Sequence, residues 1–337
     1  MDGMIFIHAD ENRDEINALL EIEQADIEIN IEPGSAYIDN TWSITIPESV
    51  WEEHPIQEGH YVYIPGTEWG GMATLVVHST EARSVTVQGP TFRGILHQKA
   101  LIPPAGEGYL VITDVDANEL IRQAVGGRFG SLVHVTDDMY GKTVSASWRY
   151  QTVATGLQTV LRDAGLRLNV AYDNQRKSIV LSAGRVNDLS DQVDISQDYG
   201  VDFTSSSGNV ETCNLCLALG QGELAERMVI NVYRYNGAYY TAMPSGMTET
   251  DVRTIVLDYP NAEAESDLIK SAVDKLKAYA PESSVSIYEI NLVDVEAELG
   301  DLLGVRDRLT GMSAQSAIIR KILTIQAGVL TITTKVG

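Results

Sequence analysis

Alternation of apolar and polar residues dominates the first hundred positions of this chain. The segments 25–31, 42–46 and 61–64 each alternate with period two, and Pro and Gly separate them. This period is typical of strands with one buried face. We therefore expect residues 1–104 to be mainly β, with 10–20 as a short helix or an acidic loop. The Pro- and Gly-rich stretch 103–108 is the clearest linker.

The period changes to that of a helix in the next segment. Five apolar residues fall at i, i+3, i+4, i+7 and i+8 between Ala117 and Val125, with Asp116 as a candidate N-cap and Gly126 after the end. A second apolar stripe runs from Val153 to Ala164, and Gly165 follows it. Strands at 166–172 and 178–182 then form a predicted hairpin. Two helices over a small sheet predict an α+β domain at 105–189.

Strand patterns return from about residue 190, interrupted by one helix around 259–280. Apolar residues from Leu268 to Tyr279 share one helical face, acidic residues come early, lysines come late, and Pro281 prevents continuation. The predicted class is therefore α+β, mainly β.

One motif imitates a nucleotide-binding fingerprint. Gly220-x-Gly222-x-x-Ala225 follows an apolar run, the spacing that places a pyrophosphate at a helix N-terminus. The next residues, 228–235, are β-branched and aromatic, and Asn236-Gly237 is a favoured hairpin turn. Glu223 and Glu226 would also repel a phosphate. We expect a glycine-rich corner between strands and no nucleotide.

That segment also carries a family resemblance. An Asn before an apolar strand, then Gly-x-Gly-Glu and a downstream Arg, resembles the baseplate hub proteins (tail-associated proteins) of long-tailed phages and prophages. Three further stretches agree in order: 85–96 with the prolines at 103–104, 184–190, and Leu299-Gly300-Asp301. The resemblance implies two tail-tube-like β-barrel domains, 1–104 and 190–337, which flank the 105–189 domain. The helix near 259–280 is then an insertion beside the second barrel.

The same resemblance implies the function and the partners. Hub proteins close the distal end of the tail tube as a ring, and duplicated barrels from three chains give six positions. The implied partners are further copies in a homotrimer, a distal tail protein and a tape-measure protein. The implied location is the virion tail, after synthesis and folding in the host bacterial cytoplasm. A trimer that forms only on the growing tail is the alternative mode of assembly.

An internal repeat accords with a duplicated barrel. Gly59 is followed by a short strand, a loop and a strand pair at 73–77 and 84–89. Gly300 is followed by the same succession, with strands at 317–323 and 329–333. We expect the two segments to form equivalent structures.

Charge limits the possible partners. The chain has 47 Asp and Glu against 24 Lys and Arg, a formal charge of −23, and Arg13 is the one basic residue in 1–60. Such a surface lacks the cations that neutralise phosphates, so specific nucleic-acid or anionic-membrane binding is not expected. DNA passage without binding and simple solubility both fit the charge. We expect neither membrane insertion nor a secretory signal, since the N-terminus lacks a basic start and apolar runs are short.

Candidate catalytic residues are few. Cys213 and Cys216 form a CxxC without a second metal-binding pair, and we expect reduced, packed thiols. The six histidines lack the His-x-x-x-His spacing of a helical zinc site. Glu48-Ser49 and Glu282-Ser283 superficially match the Glu-Ser pair of lytic transglycosylases, yet both follow proline in predicted loops. Glu52-Glu53-His54 could bind a ligand, but it lies between Trp51 and Pro55, and we expect a solvated loop. We therefore predict no enzyme, no catalytic, cofactor-binding or metal-binding residues, and no cofactor.

Two other functions stay open at this level. The four Trp and fifteen Tyr residues could stack on saccharides in a host cell-wall adhesin. Cross-strand packing explains aromatic residues at strand positions equally well. A peptidoglycan hydrolase is the second alternative, and the absence of a catalytic motif counts against it.

Overall fold

The computed structural model describes residues 5–32, 34–190, 194–195, 203–207, 212–262, 264–279, 283–287, 297–306, 309 and 313–337. The chain divides into two compact units. Unit 1 comprises Met1–Phe203, Ile287–Arg306 and Gln315–Gly337, and unit 2 comprises Thr204–Ser286 and Asp307–Ala314.

The N-terminal part of unit 1 is mainly β, as the alternating pattern predicts. Its elements are β1 (Phe6–Ala9), β2 (Glu15–Leu19), β3 (Gln24–Asn30), β4 (Thr41–Pro47), α1 (Glu48–Glu53), β5 (Tyr61–Tyr63), β6 (Gly70–Met72), β7 (Leu75–Ser79), β8 (Ser84–Pro90) and α2 (Phe92–His97). The helix-or-loop expectation for 10–20 is wrong at 15–19, because these residues pair antiparallel with β1 from Phe6↔Leu19 onward. This pairing overrides a weak local pattern.

The middle of the chain contains both predicted helices. Its elements are β9 (Ala100–Leu101), β10 (Leu110–Asp116), α3 (Ala117–Val125), β11 (Val133–Val135), β12 (Thr143–Trp148), β13 (Gln151–Thr152), α4 (Val153–Asp163), β14 (Leu166–Asp173) and β15 (Ser178–Arg185). The Asp116 side chain accepts from the Asn118 N–H, and Gly126 ends α3 in the left-handed conformation. The predicted hairpin is β14–β15, and α3 and α4 pack beside it over a buried apolar core.

The largest sheet joins strands from both ends of the chain. Its three C-terminal strands are β23 (Leu302–Arg306), β24 (Ser313–Gln326) and β25 (Val329–Val336). The two-residue strand β16 (Asp194–Ile195) also belongs to this sheet. The strand order is β16-β23-β24-β3-β4-β8-β7, and β25 also pairs with β24. Thus β24 pairs antiparallel with β3, from Arg320↔Asn30 to Gln326↔Gln24. No sheet of the described residues closes into a barrel.

Unit 2 contains a small sheet with one helix packed against it. Its elements are β17 (Phe203–Ser207), β18 (Leu215–Leu219), β19 (Val229–Tyr235), β20 (Ala238–Tyr240), β21 (Thr254–Asp258), α5 (Glu265–Ala278) and β22 (Ser283–Ile287). The sheet order is β20-β19-β18-β21, and β17 pairs with β22. The helix α5 is the one predicted around 259–280. It buries Leu268, Ala272 and Leu276 against the sheet.

Candidate assembly sites

The first glycine corner is the turn 57–60, directly before β5. Gly59 has φ +89°, and the His60 N–H donates to the Gln57 carbonyl at 3.1 Å. The Gly59 N–H donates to the Ala73 carbonyl (2.9 Å), and the Ala73 N–H donates to the His60 carbonyl (2.7 Å). A positive φ in a four-residue turn favours Gly. The corner therefore holds β5 next to the strand pair that follows it.

The second glycine corner is the turn 298–301, directly before β23. Gly300 has φ +91°, and the Asp301 N–H donates to the Glu298 carbonyl at 3.0 Å. The Gly300 N–H donates to the Ile318 carbonyl (2.8 Å), and the Ile318 N–H donates to the Asp301 carbonyl (2.9 Å). All three bonds repeat those of the first corner. The repeat predicted around Gly59 and Gly300 is thus present in the backbone hydrogen bonds of the two turns.

The side chain after each corner glycine is buried and hydrogen-bonded. His60 Nδ1 lies 2.9 Å from His8 Nε2, and His8 Nδ1 lies 2.9 Å from Asn17 Oδ1. Because the Asn17 oxygen only accepts, His8 donates to it and accepts from His60. Burial lowers the pKa of His8 to about 4, so His8 is neutral at pH 7. This chain of bonds connects β1 and β2 to the first corner.

Asp301 performs the same task at the second corner. Its carboxylate is 1% exposed and accepts from Arg167 Nη1 (2.7 Å), the Asn187 N–H (2.9 Å) and the Glu298 N–H (2.9 Å). The Asn187 Nδ2 group adds a weaker bond at 3.4 Å. Arg167 lies on β14, so the carboxylate connects the corner to the middle of the chain. The sequence singles out Asp301 through its Gly-Asp corner, whereas no local signal identifies Arg167 as its partner.

The corner at Gly220 connects two strands, as predicted. Gly222 has φ +105°, and β19 follows after a three-residue turn of 3-10 helix at Leu224–Glu226. The Gly220 N–H donates to the Met228 carbonyl, and the Met228 N–H donates to the Gln221 carbonyl. Because the chain itself satisfies these groups and no α-helix begins here, the corner lacks the anion site of a dinucleotide fold.

The two cysteines are free, in agreement with the sequence expectation. Cys216 lies on β18 and is fully buried in the apolar core that this strand shares with α5. This burial raises the pKa of its thiol. A buried thiol with a raised pKa is a poor nucleophile and a poor metal ligand.

The remaining sequence candidates do not form a catalytic cluster. The predicted loop at Glu48-Ser49 is wrong, because these residues begin α1, and Glu48 pairs with Arg83 (3.4 Å) and His78 (3.5 Å). Glu52 and Glu53 end the same helix, which is too short to show a periodic apolar pattern in the sequence. Both residues and His54 are exposed. Of the Glu282-Ser283 pair, Glu282 lies outside the described residues, and Ser283 begins β22.

In the described part of the chain, no three His, Cys, Asp or Glu side chains are grouped as metal ligands would be. The helices of the same residues are all too short or too polar to span a bilayer.

Comparison with known proteins identifies the fold. No protein-family model and no curated protein matches the sequence. Among solved structures, the chain is similar to the tail protein from Neisseria meningitidis, with 11% identity and a TM-score of 0.51 over 98% of this chain and 95% of that one. The 43 kDa tail protein of prophage MuSo2 from Shewanella oneidensis gives 13% identity and a TM-score of 0.51, over 99% and 98% of the two chains.

A third similar structure is prophage tail protein gp18 from Listeria monocytogenes, with 11% identity, a TM-score of 0.51 and coverage of 98% and 94%. The chain therefore has the fold of phage and prophage tail proteins along almost its whole length. The resemblance found in the sequence is confirmed at the level of the fold.

Proposed function

We propose that the chain is a structural component of a phage or prophage tail tip, a baseplate hub that closes the distal end of the tail tube as a ring. The observation that carries the proposal is the fold, which the chain shares with three tail proteins over 98–99% of its length. The two glycine corners add buried structural contacts, the His8–His60 and Arg167–Asp301 pairs, and no catalytic group. Its role in this proposal is assembly, not catalysis.

The repeated glycine corner supports a ring in which each chain occupies two positions. Segments 1–104 and 190–337 each supply a corner followed by a strand pair, and 105–189 lies between them in the chain. In this proposal the two segments act as tube-like β domains that alternate around the ring. Three chains then give six positions, which match a sixfold tail tube. The shared pairing of β3 and β24 supports neighbouring positions for the two segments of one chain.

The charge of the chain sets the conditions for assembly. Each copy carries −23, so self-repulsion opposes the ring at low salt. Salt near 0.1 M reduces the Debye length to about 10 Å, and association then strengthens. An acidic ring also lets DNA pass without specific binding. The further partners are other tail proteins, among them a distal tail protein and a tape-measure protein, and the location is the virion tail.

Negative-stain electron microscopy of the purified chain tests the proposal. We expect a ring with a central hole and threefold symmetry when the protein is applied at moderate salt. A compact particle with twofold symmetry would contradict it. A cell-wall lysis assay and a glycan array serve as counter-tests for the hydrolase and adhesin alternatives, and we expect neither to respond.

A further inference from the structure

The two strand pairs that follow the glycine corners correspond residue by residue. Ala73 and Ile318 hold equivalent places, because each bonds to its corner in the same way. One residue later both ladders are irregular. In the first ladder, Gln88 is the register partner of Leu75, but its carbonyl accepts from the N–H of the preceding residue, Thr74. In the second ladder, β24 shifts register between Ile318 and Arg320. This alignment places Leu75 at the position of Arg320, and Val76 at that of Lys321.

In the second pair, both edges of β24 are occupied between 320 and 326. The strand β25 pairs along one edge, and β3 pairs along the other. The Ile31 N–H donates to the Ile319 carbonyl, which marks 319 as a residue whose backbone faces β3. Backbone direction alternates along an antiparallel strand, so Lys321 also directs its backbone groups to β3.

In the first pair, one edge of β7 is free among the described residues. The Thr91 N–H donates to the Asn40 carbonyl and the Glu48 N–H to the Arg83 carbonyl, so odd-numbered residues of β8 face β4. Even-numbered residues of β8 therefore face β7 and bond to Leu75, Val77 and Ser79, their register partners. Val76 and His78 consequently direct their N–H and C=O groups to the free edge, as Lys321 does to β3.

We propose that this free edge of β7 is the contact between copies, and that it receives a strand from the C-terminal part of the next copy in the ring. Within one chain, the N-terminal strand β3 adds to the edge of the C-terminal strand β24. The repeat then requires a C-terminal strand for the equivalent edge of the N-terminal strand β7. Such a contact joins different surfaces, which is what a closed threefold ring needs. The inference rests on the proposed function and names the surface that would close the ring.

The chemistry of β7 suits strand addition. The strand Leu75–Ser79 contains no Lys, Arg, Asp, Glu or Pro, the residues that commonly protect a free edge. Leu75 is 50% exposed and Val77 is 46% exposed, on a chain whose surface is otherwise strongly acidic. An uncharged apolar edge on an acidic molecule fits a backbone ladder to a second copy, because strand addition needs no charge pairing.

The test is Val76→Pro, which removes an N–H from the free edge and leaves the ladder to β8 intact. Val256→Pro is the matched control in unit 2. There the Leu215 N–H donates to the Arg253 carbonyl and the Tyr259 N–H to the Leu219 carbonyl, so Val256 faces the free edge of β21, and its side chain is 53% exposed. Light scattering measures trimer formation. Tryptophan fluorescence in urea reports the folding of unit 1, where Val76 lies, and far-ultraviolet circular dichroism reports the folding of the whole chain, including the unit of Val256.

We expect Val76→Pro to raise the concentration for half-maximal trimer formation at least tenfold, and Val256→Pro to leave it unchanged. A folded Val76→Pro protein that trimerises like the wild type would overturn the edge assignment alone. A wild-type chain that stays monomeric at every salt concentration contradicts a ring that forms from the isolated chain, and the edge assignment falls with that ring. If Val76→Pro fails to fold, hydrogen exchange on the wild type decides: the Val76 and His78 amides must slow on trimerisation, and unchanged rates refute the assignment.

Discussion

Removal of the Asp301 carboxylate should destabilise unit 1 strongly. The Asp301→Ala change leaves Arg167, which is 17% exposed, without its carboxylate, and it leaves the Asn187 and Glu298 N–H groups without acceptors. Loss of one partner of a buried ion pair costs about 3–5 kcal/mol, and each hydrogen bond to a charged group contributes about 1.5–3 kcal/mol. Because these terms overlap, we expect a loss of about 3–5 kcal/mol in the free energy of unfolding.

Tryptophan fluorescence in urea isolates this effect. All four tryptophans, Trp42, Trp51, Trp69 and Trp148, lie in unit 1, so the signal does not report unit 2. With a slope of roughly 2–3 kcal/mol per molar urea, the midpoint should fall by roughly 1–2 M. Asp301→Asn keeps one oxygen acceptor and should lose less.

The control is Asp163→Ala, which removes a carboxylate that is 69% exposed and 3.8 Å from the Arg162 guanidinium. Exposed pairs contribute about 0–1 kcal/mol, so its midpoint should barely change. A stability of Asp301→Ala within about 0.5 kcal/mol of the wild type would refute the structural role given to the second glycine corner.

Two further perturbations test other parts of the fold. Burial lowers the pKa of His8 and of His97 to about 4, so between about pH 6.5 and pH 4 the unfolded state binds protons that the folded state does not. As the pH is lowered from about 6.5 to about 4, the free energy of unfolding of unit 1 should therefore decrease, by on the order of 1–2 kcal/mol for each histidine. His8→Gln should flatten the slope measured by urea titration, and an unchanged slope would count against the buried His8–His60 contact. At the β19–β20 turn, Asn236 and Gly237 both have positive φ (+50° and +77°), so Val-Val at these positions should cost unit 2 about 1–3 kcal/mol, and an unaltered thermal midpoint of that unit would exclude the turn.

Local signals explain which elements the sequence predicts well. The helix α3 has an apolar stripe, an N-cap at Asp116 and a left-handed Gly126, all within a dozen residues. The turn at Asn236-Gly237 likewise depends on its own two residues. Such features need no knowledge of distant partners.

Partners that are distant in the chain explain the errors and omissions. The strand β2 forms because β1 lies beside it, and Glu15–Leu19 alone has no clear strand pattern. The pairing of β3 with β24 joins residues from opposite ends of the chain. The ion pair of Arg167 with Asp301 depends on the same tertiary arrangement. The glycine repeat is intermediate, since its two turns are local but their equivalence becomes clear only from the backbone bonds to Ala73 and Ile318.

The solution mass of the chain as a function of salt tests the hub ring most directly. One copy has a mass of 36.8 kDa, so light scattering should report three times that value, about 110 kDa, for the assembled ring. The trimer fraction should rise with protein concentration and with salt up to about 0.1 M, because screening weakens the repulsion between copies of charge −23. A stable dimer, or a trimer that dissociates as salt rises through this range, would contradict the account.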